Sequence, residues 1–121
     1  MIVELFGWLV VKHFVVDFLL QTKYQYSNKG KLGHPGGLLH SLLHGCATFS
    51  IFSSVTALPL EVSFYLAAVD SVVHYFVDLS KVKITAFFKL ACDKHEEFWW
   101  LLGFDQLLHY LTYVALVAYV S

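Results

Sequence analysis

The amino-acid sequence predicts an all-α integral membrane protein, built as a four-helix bundle in a single domain over residues 1–121. Hydrophobic residues make up 58% of the chain and charged residues only 14%, and the mean hydropathy is +0.64, which is a membrane composition. The apolar residues also fall into four segments, each long enough to cross a hydrocarbon core of roughly 30 Å. We expect spans at about 2–22, 37–57, 60–79 and 99–120.

The first span carries polar residues within its apolar run, unlike a cleaved signal peptide. A signal peptide has a short, uninterrupted apolar region followed by a small-residue cleavage site, so we expect this segment to be retained. His13, Asp17 and Gln21 lie on one helix face because they are four residues apart. Lys12 lies off that face, and the sequence leaves its role open. It could pair with an acidic residue on another helix, extend its side chain to the membrane interface, or lie at a contact between protomers.

The second and third spans are predicted to form a helical hairpin. A polar connection over residues 23–37, rich in Gly, Asn and Lys, precedes the second span. Pro59 then separates the two spans, since proline ends a helix and the following apolar run begins at once. Residues 80–98 mix lysines and acids with apolar residues, so we expect a short amphipathic helix in the interface between spans three and four. Trp99 and Trp100 would anchor the fourth span at the membrane surface.

Histidines and aspartates recur at steps of four residues in every span. On an α-helix this spacing places the members of each set along one face. The strongest instance is in the third span, where an aspartate, a histidine and an aspartate follow one another inside an apolar run. The sets are His13 and Asp17, His40 and His44, Asp70 with His74 and Asp78, and Asp105 and His109.

The lysines predict the orientation of the spans. Seven of the eight fall in the first or third connection, which four spans place on the same side of the membrane. By the positive-inside rule that side is cytoplasmic, which puts both termini outside a bacterial inner membrane. Each His and Asp set then lies in the cytoplasmic half, on the order of 5 to 15 Å below the loops at about 1.5 Å per residue.

Nine ionisable residues inside a bilayer require partners that offset the free-energy cost of burying their charges. A charged residue at the centre of a span costs roughly 2.5 to 3.5 kcal/mol on insertion scales. We expect one or two divalent metal ions, zinc or else manganese, because imidazole and carboxylate groups are their ligands. The alternative is a structural network in which His and Asp side chains satisfy one another and join the helices. The predicted ligands are His13, Asp17, His40, His44, Asp70, His74, Asp78, Asp105 and His109.

These motifs together, including Asp105 and Gln106 before His109, resemble a family of short uncharacterised inner-membrane proteins from bacteria and their phages. The resemblance covers nearly the whole chain and implies no established activity. More distantly, the chain is similar to bacterial membrane-bound metal-dependent hydrolases, although it is shorter and lacks their Asp-His dipeptide.

Three functions follow as hypotheses. The first is a metal-dependent hydrolase acting on a lipid or other amphiphilic ester, amide or phosphoester, with Asp17 or Asp78 accepting a proton from metal-bound water. The second is a non-enzymatic protein, with a structural metal or polar network, that binds a host membrane protein. The third is proton or metal transport. The polar residues argue against transport, because they stop at mid-membrane and do not form a continuous path. We expect the protein to be surrounded by membrane lipid. We also expect a homo-oligomer, since four spans are few for a catalytic chamber.

Some features of the sequence exclude other roles. No strongly basic surface is available for nucleic acid, because the net charge is −1. Cys46 and Cys92 do not support a disulfide framework. His34 and His95 lie in connections and are predicted to be ordinary solvated histidines.

Overall fold

The computed structural model describes residues 1–121, and all of its regular secondary structure is helical, which confirms the all-α prediction. The first helix continues into a π-helical turn at Val15–Leu19. Three of the helices, Pro35–Val55, Leu60–Phe87 and Glu96–Tyr119, are long and apolar enough to cross a membrane, as an integral membrane protein requires. The helices are α1 (Ile2–Phe14), α2 (Lys23–Asn28), α3 (Pro35–Val55), α4 (Leu60–Phe87) and α5 (Glu96–Tyr119).

Local sequence explains where α3 and α4 begin. Pro35 occupies the first turn of α3, where its fixed φ suits the helix and its missing N–H is not needed. His34 caps this helix, because its Nδ1 accepts a hydrogen bond from the Gly36 N–H at 3.0 Å. Pro59 immediately precedes α4, so the connection from α3 is short.

Small residues allow α3 and α4 to pack closely. A Cβ added at Gly45 would lie 3.1 Å from Ser71 Cβ and 3.3 Å from the Ala67 carbonyl oxygen. The Ser71 hydroxyl also donates to the Ser41 carbonyl oxygen at 2.8 Å. Close approach through small residues is how helices pack without a hydrophobic driving force between them. Of all helix pairs, α3 and α4 form the most extensive contact.

The region after the third predicted span differs from expectation. We predicted that the span ends near residue 79 and that a separate interfacial helix follows, but α4 continues without a break to Phe87. No proline or glycine lies between those positions to end the helix. The chain then turns at Lys89, which has a left-handed φ of 52°. Likewise, the polar connection after the first span contains the short helix α2, which the sequence pattern did not indicate.

The interior is divided into an apolar layer and a polar layer. α1 packs against α3 and α5, and α4 packs against the same two helices. At the end of this assembly that holds the α3–α4 turn, the buried side chains are almost all apolar. Toward the other end, the side chains between the helices are histidines and aspartates. The apolar layer consists of Leu5, Leu9, Phe52, Leu66, Tyr113, Leu116 and Val117.

Candidate metal centre

Asp17 lies in the π-helical turn that ends the first helical segment. The turn is closed by the Leu20 N–H, which donates to the Val15 carbonyl oxygen at 2.9 Å across five residues. The Gln21 side chain donates to the backbone carbonyl oxygen of Asp17 at 2.7 Å, which satisfies an acceptor near the end of the helix. π-Helical turns are rare and frequently occur at functional sites. Here the turn holds the Asp17 carboxylate, 8% exposed, among histidines of α3 and α4.

Three histidine nitrogens converge on one oxygen of Asp17. Its Oδ1 atom lies 2.8 Å from His44 Nε2, 3.1 Å from His40 Nε2 and 3.6 Å from His74 Nε2. The four ligand atoms all lie within 4.8 Å of one another, and all four residues are buried. Imidazole nitrogen and carboxylate oxygen are ordinary ligands of Zn²⁺. The arrangement could therefore hold a metal ion.

A second group of potential ligands shares His74 with the first. Asp78 Oδ2 lies 3.2 Å from His74 Nε2, and Asp78 Oδ1 lies 3.2 Å from His109 Nε2. His40 Nε2 is 3.3 Å from Asp78 Oδ2, so the two groups adjoin. The ligand atoms of His74, Asp78 and His109 again lie within 4.8 Å of one another.

His74 is the centre of a stack of imidazole rings. Its ring centroid is 3.5 Å from that of His44 and 4.1 Å from that of His109, with interplanar angles of 24° and 25°. Neither nitrogen of His74 has a partner in hydrogen-bonding geometry, although its side chain is fully buried. The same is true of His40 Nε2. Buried polar atoms are nearly always paired, so these nitrogens are available to bind a ligand.

The charge balance of the cluster is compatible with a bound cation. Asp17, Asp78 and Asp105 are all buried around the histidines. Protonating the stacked rings would supply positive charge, but imidazolium rings stacked 3.5 Å apart would repel each other strongly in a medium of low dielectric constant. A divalent ion that binds neutral imidazole and carboxylate compensates the aspartates without this repulsion.

Side chains around the two groups orient the ligands. His40 Nδ1 lies 3.2 Å from Gln25 Oε1, and His44 Nδ1 lies 3.1 Å from Lys12 Nζ, so both rings direct Nε2 toward Asp17. The Gln25 contact is of the kind that fixes the orientation of a metal-binding histidine, because the amide oxygen can accept the Nδ1 hydrogen of His40. Lys12 instead donates to His44 Nδ1. Lys29 at the end of α2 is 3.5 Å from Asp78 Oδ2 and was not anticipated from the sequence.

Two of the predicted ligands, His13 and Asp105, lie at the edge of the cluster. His13 Nε2 lies 3.0 Å from Asp17 Oδ2 and 2.9 Å from Gln106 Oε1, and its Nδ1 lies 2.7 Å from the Tyr113 hydroxyl. With both nitrogens engaged, His13 supports Asp17 rather than offering a free ligand atom. Asp105 Oδ1 is 3.6 Å from His109 Nε2, and its Oδ2 accepts a hydrogen bond from Gln106.

Asp70 is the one predicted ligand that the structure keeps apart from these groups. Its Oδ2 atom accepts hydrogen bonds from Lys12 Nζ at 2.6 Å and from the Thr48 hydroxyl at 2.5 Å. Asp70 is thus the acidic partner on another helix that the sequence had left open for Lys12. Thr48 lies one helical turn beyond His44, and this spacing is the signal that could have revealed its place on the polar face of α3.

The remaining histidines and the cysteines lie outside the cluster. His34 caps α3, and His95 Nδ1 accepts a hydrogen bond from the Ala91 N–H at 2.9 Å. Cys46 and Cys92 are free and exposed.

Comparison with known proteins places the chain in a family. No curated protein and no solved structure matches it significantly. One family model, described as "Protein of unknown function (DUF3307)", matches residues 5–121 and so includes every residue of the His and Asp cluster. The chain therefore belongs to the DUF3307 family.

Proposed function

We propose that this protein is a membrane-embedded, metal-dependent hydrolase that acts on a lipid or other amphiphilic ester or phosphoester from the cytoplasmic leaflet. The observation that carries the proposal is the convergence of His40, His44 and His74 Nε2 on Asp17 Oδ1, all buried. Zinc fits this donor set best, and manganese is the second choice.

The proposed membrane arrangement is a bundle of four spans in a bacterial inner membrane. The fourth crossing is supplied by α1 and its π-helical turn, which together run from Ile2 to Leu19 and bury Lys12 and Asp17 inside the protein. At about 1.5 Å per residue this segment approaches the thickness of a hydrocarbon core. The positive-inside rule assigns the lysine-rich end, next to the cluster, to the cytoplasm, and both termini to the outside.

In the proposed reaction, His40, His44 and His74 would hold the metal ion. A zinc ion held by three protein ligands would supply an activated water as the nucleophile near neutral pH. Asp17 or Asp78 would then accept the proton of that water, since a carboxylate oxygen of each lies within 3.6 Å of His74 Nε2.

A second candidate function is a structural metal centre in a protein that binds a host membrane partner. The observation that favours it is that Asp17, added to His40, His44 and His74, completes four protein ligands. Structural zinc sites are closed by four protein ligands, whereas catalytic sites keep one position open. Transport of protons or metal has less support, because the apolar layer lies between the cluster and the opposite end of the bundle.

One pair of variants separates the two candidates. Metal content of the purified protein is measured alongside hydrolysis of micellar ester and phosphoester substrates. For a hydrolase in which Asp17 is the base, Asp17→Asn keeps its metal and loses turnover, whereas His44→Ala loses both. For a structural centre, Asp17→Asn loses metal and stability together, and no variant has turnover to lose.

The control variant is His95→Asn, which changes a histidine outside the cluster and keeps an acceptor near the Ala91 N–H. It should retain metal and activity. A wild-type protein without stoichiometric metal, whose stability is unchanged by chelators, would refute both candidates.

A further inference from the structure

A cavity of about 730 Å³ lies next to the metal centre and is lined by both lysines and apolar side chains. Three lysines contribute to its wall, namely Lys29 just after α2, Lys81 from α4 and Lys89 from the turn after α4. The apolar part of the wall includes Val82, Leu90, Phe98 and Leu102. A cavity that is both cationic and apolar suits a ligand with a negative head and a hydrocarbon tail.

The positive charge of this cavity is largely uncompensated. Lys12 and Lys29 are the only lysines in ion pairs, and the pair formed by Lys29 is long, at 3.5 Å from Asp78 Oδ2. Lys81 and Lys89 have no acidic partner within 4 Å, although Lys81 is partly buried. Lysines near a membrane surface attract anionic lipid headgroups. An anion bound here would supply the missing partners.

Lys89 occupies a backbone position that usually requires glycine. It follows the end of α4 with a φ of 52°, where a side chain costs conformational energy and glycine is the usual residue. Strained positions of this kind occur at ligand clamps and other functional sites. At this position the lysine side chain contributes to the wall of the cavity, which a glycine could not do.

The cavity is connected to the cluster on one side and to an apolar groove on the other. Lys29 contacts both the cavity and Asp78 of the second ligand group. Lys81 borders both the cavity and a groove of about 360 Å³ between α4 and α5, which is lined mainly by apolar residues such as Val77 and Phe104. That groove also reaches Asp105, beside His109.

We propose that this cavity binds an anionic lipid, with its phosphate headgroup held by Lys29, Lys81 and Lys89 and part of its acyl chain in the adjoining groove. That this lipid is the substrate, and that the bond cleaved lies at its headgroup, rests on the function proposed above. The binding of the lipid does not depend on the metal.

The proposal is tested by binding of oleoyl lysophosphatidic acid to the full-length protein in neutral maltoside micelles. Oleoyl lysophosphatidylcholine and inorganic phosphate serve as comparison ligands. Lys81→Gln/Lys89→Gln should weaken lysophosphatidic acid binding about 10- to 30-fold, from the attraction expected per lysine. The control Lys83→Gln/Lys94→Gln removes the same charge outside the cavity and should change binding less than about twofold.

The single variant Lys89→Gly separates binding from folding. Glycine relieves the left-handed strain, so this variant should be at least as stable as the wild type and still bind the lipid more weakly. Equal binding by the cavity and control double variants would overturn the proposal. So would equal affinity for lysophosphatidylcholine, or full competition by inorganic phosphate at the same concentration. If binding persists in chelator but the metal-loaded protein hydrolyses nothing, the hydrolase is refuted and the lipid site is supported.

Discussion

The buried ion pair between Lys12 and Asp70 offers the sharpest test of the packing around the His and Asp cluster. The two residues are 6% and 1% exposed, and Lys12 Nζ lies 2.6 Å from Asp70 Oδ2. Removing one partner of a buried pair leaves an uncompensated charge and costs about 3–5 kcal/mol. In Lys12→Met the Thr48 hydroxyl still donates to Asp70, so we expect the lower end of that range, about 3 kcal/mol. This corresponds to about a 100-fold increase in the unfolding equilibrium constant.

The assay is reversible unfolding by sodium dodecyl sulfate in mixed micelles, followed by tryptophan fluorescence. Lys12→Met/Asp70→Asn removes both charges and keeps an acceptor for Thr48, so it should recover at least half of the lost stability. Lys23→Met removes an exposed lysine without an ion pair and should change stability by less than about 0.5 kcal/mol. A loss below about 1 kcal/mol in Lys12→Met, or additive effects in the double variant, would refute the coupling.

Three further predictions concern the metal and the helix packing. Zinc at a free concentration 100 times its Kd should stabilise the wild type by about 2.7 kcal/mol, and His74→Ala, which removes the ligand common to both groups, should show no zinc-dependent shift in Tm. His13→Ala should keep the ligand atoms but lower zinc affinity about 10- to 100-fold in a competition titration, because Asp17 loses its support. Gly45→Val should destabilise the protein by about 1–3 kcal/mol through overpacking against Ser71, whereas Gly103→Ala, with open space around it, should be neutral or stabilising in the same unfolding assay.

The convergence of the helices was predictable because helical periodicity fixes which residues share a face. His13 and Asp17, like His40 and His44, are one turn apart, and each pair reaches the same interior. Periodicity fails over longer stretches, since each step of four residues rotates about 40° around the helix. Asp70 is therefore turned about 80° and displaced about 12 Å from Asp78, which puts it beside Lys12 and Thr48 instead.

Other parts of the site had no periodic signal. Gln25 belongs to α2, a helix too short for an apolar stripe to be recognised, and Lys29 follows its last residue, yet both contact the cluster. The extension of α4 to Phe87 depends on the absence of a helix-ending residue, while the lysines of this stretch suggested a break. The extension matters for function, because it carries Lys81 to the cavity.

The first and last helices meet at His13, and this has a consequence for the biogenesis of the protein. The contact between His13 and Tyr113 joins residues 100 positions apart, and α5 also supplies His109 and Asp105. During synthesis, the contacts of His13 with Gln106 and Tyr113 and that of Asp78 with His109 can form only after α5 has been made. A chain interrupted before α5 would lack these contacts and the His109 member of the second ligand group. The His and Asp cluster is therefore complete only in a chain that includes α5.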